Sequence, residues 1–143
     1  MNQKEFNKIC LEELMRMNGL WCSGDTYSVV KYGSGYRGLY HSNRFSKDEL
    51  KEKQNSIGEL TQVRFGIIPE INEGYFTYLS VYGPHRGKGF AREMVTAGQE
   101  AIKKTGISTV RLRGDVFDTS FWSHMGFEID EDRFQEFLWV KRL

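Results

Sequence analysis

At 143 residues the chain suits one domain with one substantial core, and 39% hydrophobic and 14% aromatic residues exclude a disordered polymer. Its 20 basic and 19 acidic side chains leave a net charge of +1, against the basic excess that general nucleic-acid binding requires. No apolar run approaches the roughly 18 residues of a membrane helix, and Met1–Glu5 mixes charges without an apolar signal core. The expectation is therefore a single domain over residues 1–143, cytoplasmic and away from membranes. A first helix begins at Asn2, with Glu5 at capping-box spacing, and Phe6, Ile9, Cys10, Leu14 and Met17 mark its apolar face until Asn18-Gly19. Tyr27–Tyr32 and Tyr36–Tyr40 read as a hairpin across Gly33-Ser34-Gly35. A charged surface helix starts at Ser46, where Ser46 and Glu49 form a capping box and Phe45 can staple onto Leu50, and it stops at Gly58.

Leu60–Ile68 and Gly74–Tyr82 follow as a longer strand pair, rich in β-branched and aromatic residues, with Pro69, Asn72 and Gly74 at the turn. The clearest helix is Lys88–Lys104. Phe90, Ala91, Met94, Val95, Ala97, Ala101 and Ile102 form its buried stripe, Lys103 and Lys104 suit its C-terminal dipole, and Gly106 follows as a C′ residue. Thr109–Arg113 alternates as a strand. Asp118 or Thr119 caps a short helix ending at Gly126, and Phe127–Ile129 pairs with Phe137–Val140. The order predicts an α/β domain around a mixed sheet. Cys10 and Cys22, twelve apart with no His or Cys at ligand spacing, read as reduced thiols and not as a disulfide or a metal site.

Chemistry concentrates in Tyr82-Gly83-Pro84-His85-Arg86-Gly87-Lys88-Gly89-Phe90-Ala91, between a strand and a helix. Gly87 and Gly89 let backbone approach an anion, the N–H groups of the helix start aim at it, and Arg86, Lys88 and Arg92 add charge. An ordinary glycine turn with surface cations has the same composition. A Walker loop needs four residues between its first glycine and Gly-Lys, then Ser or Thr; here three separate Gly83 from Gly87, and Gly89 follows Lys88. A dinucleotide fingerprint counted from Gly87 needs Gly or Ala where Arg92 stands. What remains is Arg, two residues, Gly, one residue, Ala, which is Arg86 to Ala91.

With Leu79-Ser80-Val81 five residues or so upstream and Phe121-Trp122-Ser123-His124-Met125-Gly126-Phe127 downstream, the chain resembles the GNAT superfamily of N-acetyltransferases from Glu73 to about Ile129. Before Glu73 the likeness is loose, since the family opens with a strand and this chain with a helix. The resemblance implies a GNAT-like mixed, mostly antiparallel central sheet with flanking helices. It also implies acetyl-CoA as co-substrate and direct attack of an amine on its thioester in a ternary complex. Carried over, the Leu79 amide polarises the thioester carbonyl and Val81 holds pantetheine. The amides of Gly87, Lys88, Gly89 and Ala91, within the Arg86–Arg92 segment that includes Phe90, cradle the pyrophosphate, and Asp115 contacts pantetheine.

An amine with a pKa near 10 arrives protonated and needs a proton acceptor. Glu73 is the first candidate, because uninterrupted alternation would put it on one face with Tyr75, Thr77 and Leu79; a solvent-exposed turn carboxylate, His85, His124 or a water chain are the alternatives, and His41 reads as surface. Many family members place a Tyr on the short helix as general acid. Trp122 stands there in this chain, where it either contacts the sulfur or packs the core. The expected partner is a small-molecule or protein amine, and a homodimer is compatible with the fold. The contrasting reading is a CoA-binding module without turnover. Glu70, Glu73 and Asp115 would favour a cationic acceptor if they faced the cleft, with Trp21 and the N-terminal half shaping its pocket.

Overall fold

The computed structural model describes residues 1–16, 26–41, 61–81, 87, 89–113, 119–129 and 139–143. Met17, the helix expected from Ser46, the Asp118 cap and the start of the last strand at Phe137 lie outside the described residues. Helix α1 (Gln3–Arg16) begins as its spacing predicts. Asn2 Oδ1 accepts the Glu5 amide at 2.9 Å, and Asn2 Nδ2 donates to Glu5 Oε1 at 3.0 Å. Phe6, Cys10 and Leu14 are fully buried, one turn apart on one face. Glu13 is buried beside them, its carboxylate held by Lys104 and by Arg16 at 3.4 Å.

Strands β1 (Thr26–Tyr32) and β2 (Gly35–His41) form the first hairpin, with Tyr32 opposite Gly35 across a Gly33-Ser34 turn. Strands β3 (Gln62–Ile68) and β4 (Glu73–Ser80) form the second, joined through a 3₁₀ turn at Pro69–Ile71 and a left-handed Asn72. Then come α2 (Phe90–Lys104), β5 (Thr109–Leu112), the short α3 (Thr119–His124), β6 (Glu128–Ile129) and β7 (Trp139–Arg142). The seven strands lie in the order β1-β2-β3-β4-β5-β7-β6, antiparallel throughout except for β4 with β5. The fold is thus the mixed, mostly antiparallel sheet expected, with the N-terminal helix first. Among the described residues no helix is long and apolar enough to cross a membrane.

Helices α1 and α2 pack on each other and on one face of the sheet, over Val63, Phe65, Ile67, Phe76 and Val110. Two glycines let α2 settle onto β4. A Cβ on Gly98 would stand 2.7 Å from the Phe76 ring, and one on Gly74 would stand 2.6 Å from Ile102.

One irregularity positions the site. The β3–β4 register slips by one, so Phe76 faces Phe65 while Tyr78 faces Arg64, and Thr77 becomes the extra residue of a β-bulge. Alternation therefore inverts at Thr77. Phe76 and Leu79 both belong to the helix-covered face, whereas Tyr75 and Tyr78 belong to the other. The common face expected for Glu73 and Leu79 does not exist, because that count took the strand as unbroken.

Candidate active site

The site lies where β4 ends and α2 begins. Among the described residues the parallel β4–β5 ladder runs from Gly74 to Phe76 and closes with Arg113 N donating to Phe76 O at 2.8 Å. It ends one residue before the bulge, so the backbone of Leu79 lies beyond the described ladder. Leu79 and Val81 are half-buried and pack against the core with their side chains. The Leu79 amide thus belongs to a strand, and that of Val81 follows directly after its last residue.

At the start of α2, Gly87 (φ 78°) and Gly89 (φ 82°) occupy the left-handed region, and a Cβ on either would meet no atom of the described residues within 4 Å. The bare backbone there faces open space. Gly89 is the N-cap and no side chain caps the helix. The first helical bond is Glu93 N to Gly89 O at 3.0 Å, so the Ala91 and Arg92 amides precede any intrahelical acceptor and point out of the helix end. An open cavity of about 240 Å³ lies here, lined by Val81, Gly87, Gly89, Phe90, Ala91, Arg92 and Phe121. Six of these were expected as cofactor ligands from the sequence. Uncapped amides, the positive end of the helix dipole, Arg92 and glycines with room above them make a receptor for an oxyanion. That chemistry fits a pyrophosphate. Arg86, Lys88, Asp115 and His85 lie outside the described residues.

Two expected catalytic side chains are elsewhere. Glu73 is six residues from Leu79, about 20 Å at strand rise, far beyond the hydrogen-bond reach of a general base. Its carboxylate accepts Arg111 Nε at 2.8 Å in a buried ion pair. Trp122 is 8% exposed and packs on Phe76, Phe121 and Phe127, with ring centroids 5.8, 5.1 and 5.2 Å away. It is a core residue. Its neighbour Phe121 lines the cavity instead and was not anticipated, since a single turn of helix shows no period that separates adjacent aromatics. His124 is exposed at the end of α3 and does not line the cavity. Cys10 is buried, its thiol pushed up to about 12, chiefly by loss of hydration and further by Glu13.

No family model matches the sequence, and no curated protein matches it. Solved structures do. The chain is similar to the PaiA N-acetyltransferase of Thermoplasma acidophilum, a complex with coenzyme A, at 17% identity and TM-score 0.51, over 75% of this chain and 60% of that one. A Klebsiella pneumoniae protein for which acyl-CoA N-acyltransferase activity has been proposed gives 11% identity and TM-score 0.55, over 85% of this chain and 99% of that one. A GNAT-family acetyltransferase of Staphylococcus aureus gives 14% and 0.51, over 77% and 68%. The chain thus spans about three fifths of the length of the Thermoplasma protein. At these identities the likeness establishes the fold: this chain has the fold of the GNAT N-acetyltransferases.

Proposed function

We propose that the protein is an acyl-CoA-dependent N-acyltransferase that moves an acetyl group from acetyl-CoA to an amine. The observation that carries this reading is the cavity that joins the end of β4 to the uncapped N-terminus of α2. The thioester supplies the activated acyl group. Backbone amides at Gly87, Gly89, Ala91 and Arg92 hold the pyrophosphate, and Val81 and Phe121 line the path of the pantetheine chain. The Leu79 amide donates to the thioester oxygen as charge builds there, a contribution of about 3 kcal/mol for a preorganised donor. A C–N bond forms as the C–S bond breaks. Sulfur leaves with the electron pair, and the proton lost by nitrogen passes to solvent water. No acidic side chain is needed for departure, because the leaving thiol has a pKa of about 8.5.

The positions of Glu73 and Trp122 favour a second reading, a CoA-binding module with little or no turnover, since neither side chain reaches the cavity. Calorimetric titration with CoA and with ATP, followed by thiol release from acetyl-CoA with a panel of amines, decides between them. CoA binding with amine-dependent thiol release supports the enzyme, CoA binding without release supports the module, and absence of CoA binding overturns both.

A further inference from the structure

The sheet face opposite α1 and α2 carries a row of cations on aromatic rings. Cross-strand pairing puts Arg37, Gly66, Tyr75 and Arg111 in one line across β2, β3, β4 and β5, and Arg64 beside Tyr78 in the next. The Arg37 guanidinium lies 3.6 Å above the Tyr32 ring centroid, and its Nε donates to the Tyr75 hydroxyl at 3.4 Å. Arg113 lies 5.0 Å from the Tyr75 ring and Arg64 lies 5.9 Å from the Tyr78 ring. Arg111 is committed to Glu73. Arg37 and Arg64 are half-buried, and among the described residues neither has a carboxylate within ion-pair distance. Half-buried guanidiniums fixed over tyrosine rings have most of their donors available and already ordered, which suits planar recognition of an oxyanion.

The location gives this face a role. The helices and the cavity occupy the other side of the sheet, where Leu79 and Val81 pack. An amine that attacks a carbonyl held at the Leu79 amide must come from the side that the described helices leave open. Tyr78 directly precedes Leu79 on β4, and Arg64 is its cross-strand partner. A group bound by Arg64 is therefore beside the reacting centre. Of the carboxylates that would have favoured a cationic acceptor, the two among the described residues do not offset this, because Glu73 is paired with Arg111 and Glu70 is exposed on the 3₁₀ turn.

Resting on the acetyltransferase reading, we propose that the acceptor is a small amine that also carries an oxyanion, a carboxylate or a phosphate, held by Arg64 and Arg37 on this tyrosine-lined face. The test uses matched pairs with acetyl-CoA: phenylalanine against phenethylamine for the carboxylate, and phosphoethanolamine against ethanolamine for the phosphate. The oxyanion-bearing member of at least one pair has a kcat/KM at least tenfold above its partner without one, mainly through KM, and which pair responds identifies the anion. Arg64→Gln brings that ratio toward one, and Arg64→Lys restores part of it; a merely structural arginine would leave the ratio where it was. Calorimetry of the same four amines against the CoA-saturated full chain gives the ratio independently of turnover, so an inactive protein still tests the site. Partners without an oxyanion bound or used as well as both that carry one, or a ratio that Arg64→Gln leaves unchanged, would overturn the proposal. Thiol release confined to amines without an oxyanion would overturn it while leaving the acetyltransferase reading intact.

Discussion

Gly89 offers the sharpest test of the cofactor site, because its strain and its contact with ligand can be separated. At φ 82° and ψ 10° it sits in the left-handed region as the N-cap of α2. Alanine there would carry about 1–2 kcal/mol of backbone strain, but its Cβ would touch no atom of the described residues within 4 Å, so they add no packing penalty to it. For a chain of this length that strain lowers Tm by about 3–8 °C, and the fold survives. The new methyl projects into the open space over the glycine backbone, where the pyrophosphate is to approach. Contacts lengthened in this way weaken CoA at least tenfold, about 1.4 kcal/mol, and Gly89→Val weakens it further. Gly106 is the matched control. It sits at φ 91° past the other end of α2, and a Cβ there also meets nothing within 4 Å. Gly106→Ala carries the same strain far from the cavity and leaves CoA affinity unchanged. Melting curves and CoA titrations on the two alanine variants give the comparison. A folded Gly89→Ala protein with wild-type CoA affinity, or equal losses in both variants, would refute the assignment.

Glu73→Gln removes the carboxylate charge from the buried Glu73–Arg111 ion pair and lowers stability by about 3 kcal/mol, while kcat of the protein that remains folded stays within about twofold of wild type; a loss near 10²-fold at unchanged stability would reinstate Glu73 as the base. Trp122→Tyr leaves a void among Phe76, Phe121 and Phe127 and destabilises by about 1–3 kcal/mol, with no faster single-turnover thiol release; a rate gain at unchanged CoA affinity would show that a phenol there protonates the leaving thiolate. In a Cys22→Ser background the Cys10 thiol stays unreactive toward an aromatic disulfide at pH 8 until the protein unfolds. The folded thiol keeps its proton up to about 12 against an ordinary 9.0, so this contribution to stability is whole below 9 and is lost as pH rises toward 12. Urea melts across that window show the decline, and Cys10→Ala makes it shallower.

What the residues alone revealed follows from how locally each feature is encoded. Asn2 with Glu5, the stripe Phe6-Cys10-Leu14, and Gly33-Ser34 between two tyrosine-rich strands are signals within a few residues, and each element appears where they put it. Gly87 and Gly89 were legible for the same reason, since a helix start that needs positive φ shows in the residue type itself. The roles of Glu73 and Trp122 were not legible. One depends on a bulge that no residue type at Thr77 announces, and on a partner, Arg111, 38 residues away on a parallel strand. The other depends on the rotation of one helical turn, which decides whether Phe121 or Trp122 faces the cavity. Long-range geometry decides both.

The silence of sequence comparison beside clear structural likeness has a physical cause in the same site. In the proposed reading, ligand recognition falls on main-chain N–H groups: Leu79 on β4, Val81 just past its end, then Gly87, Gly89, Ala91 and Arg92 around the start of α2. A backbone amide is the same whatever side chain it bears, so the side chains of Leu79 and Val81 are answerable only to the core they pack against. Many apolar combinations fill such a core at nearly equal stability. Residue identity is demanded where φ is positive or a neighbour leaves no room for a Cβ, as at Gly87 and Gly89 by the cavity and at Gly74 and Gly98, which face the Ile102 and Phe76 side chains between β4 and α2. A few glycines are too small a signature for a sequence match. The positions of strand end, bulge and helix start, by contrast, must be kept for the amides to converge, and these are what a structural superposition measures. A fold that recognised its ligand through backbone groups could therefore drift to identities of 9–17% and still be superposed on other chains of the same fold.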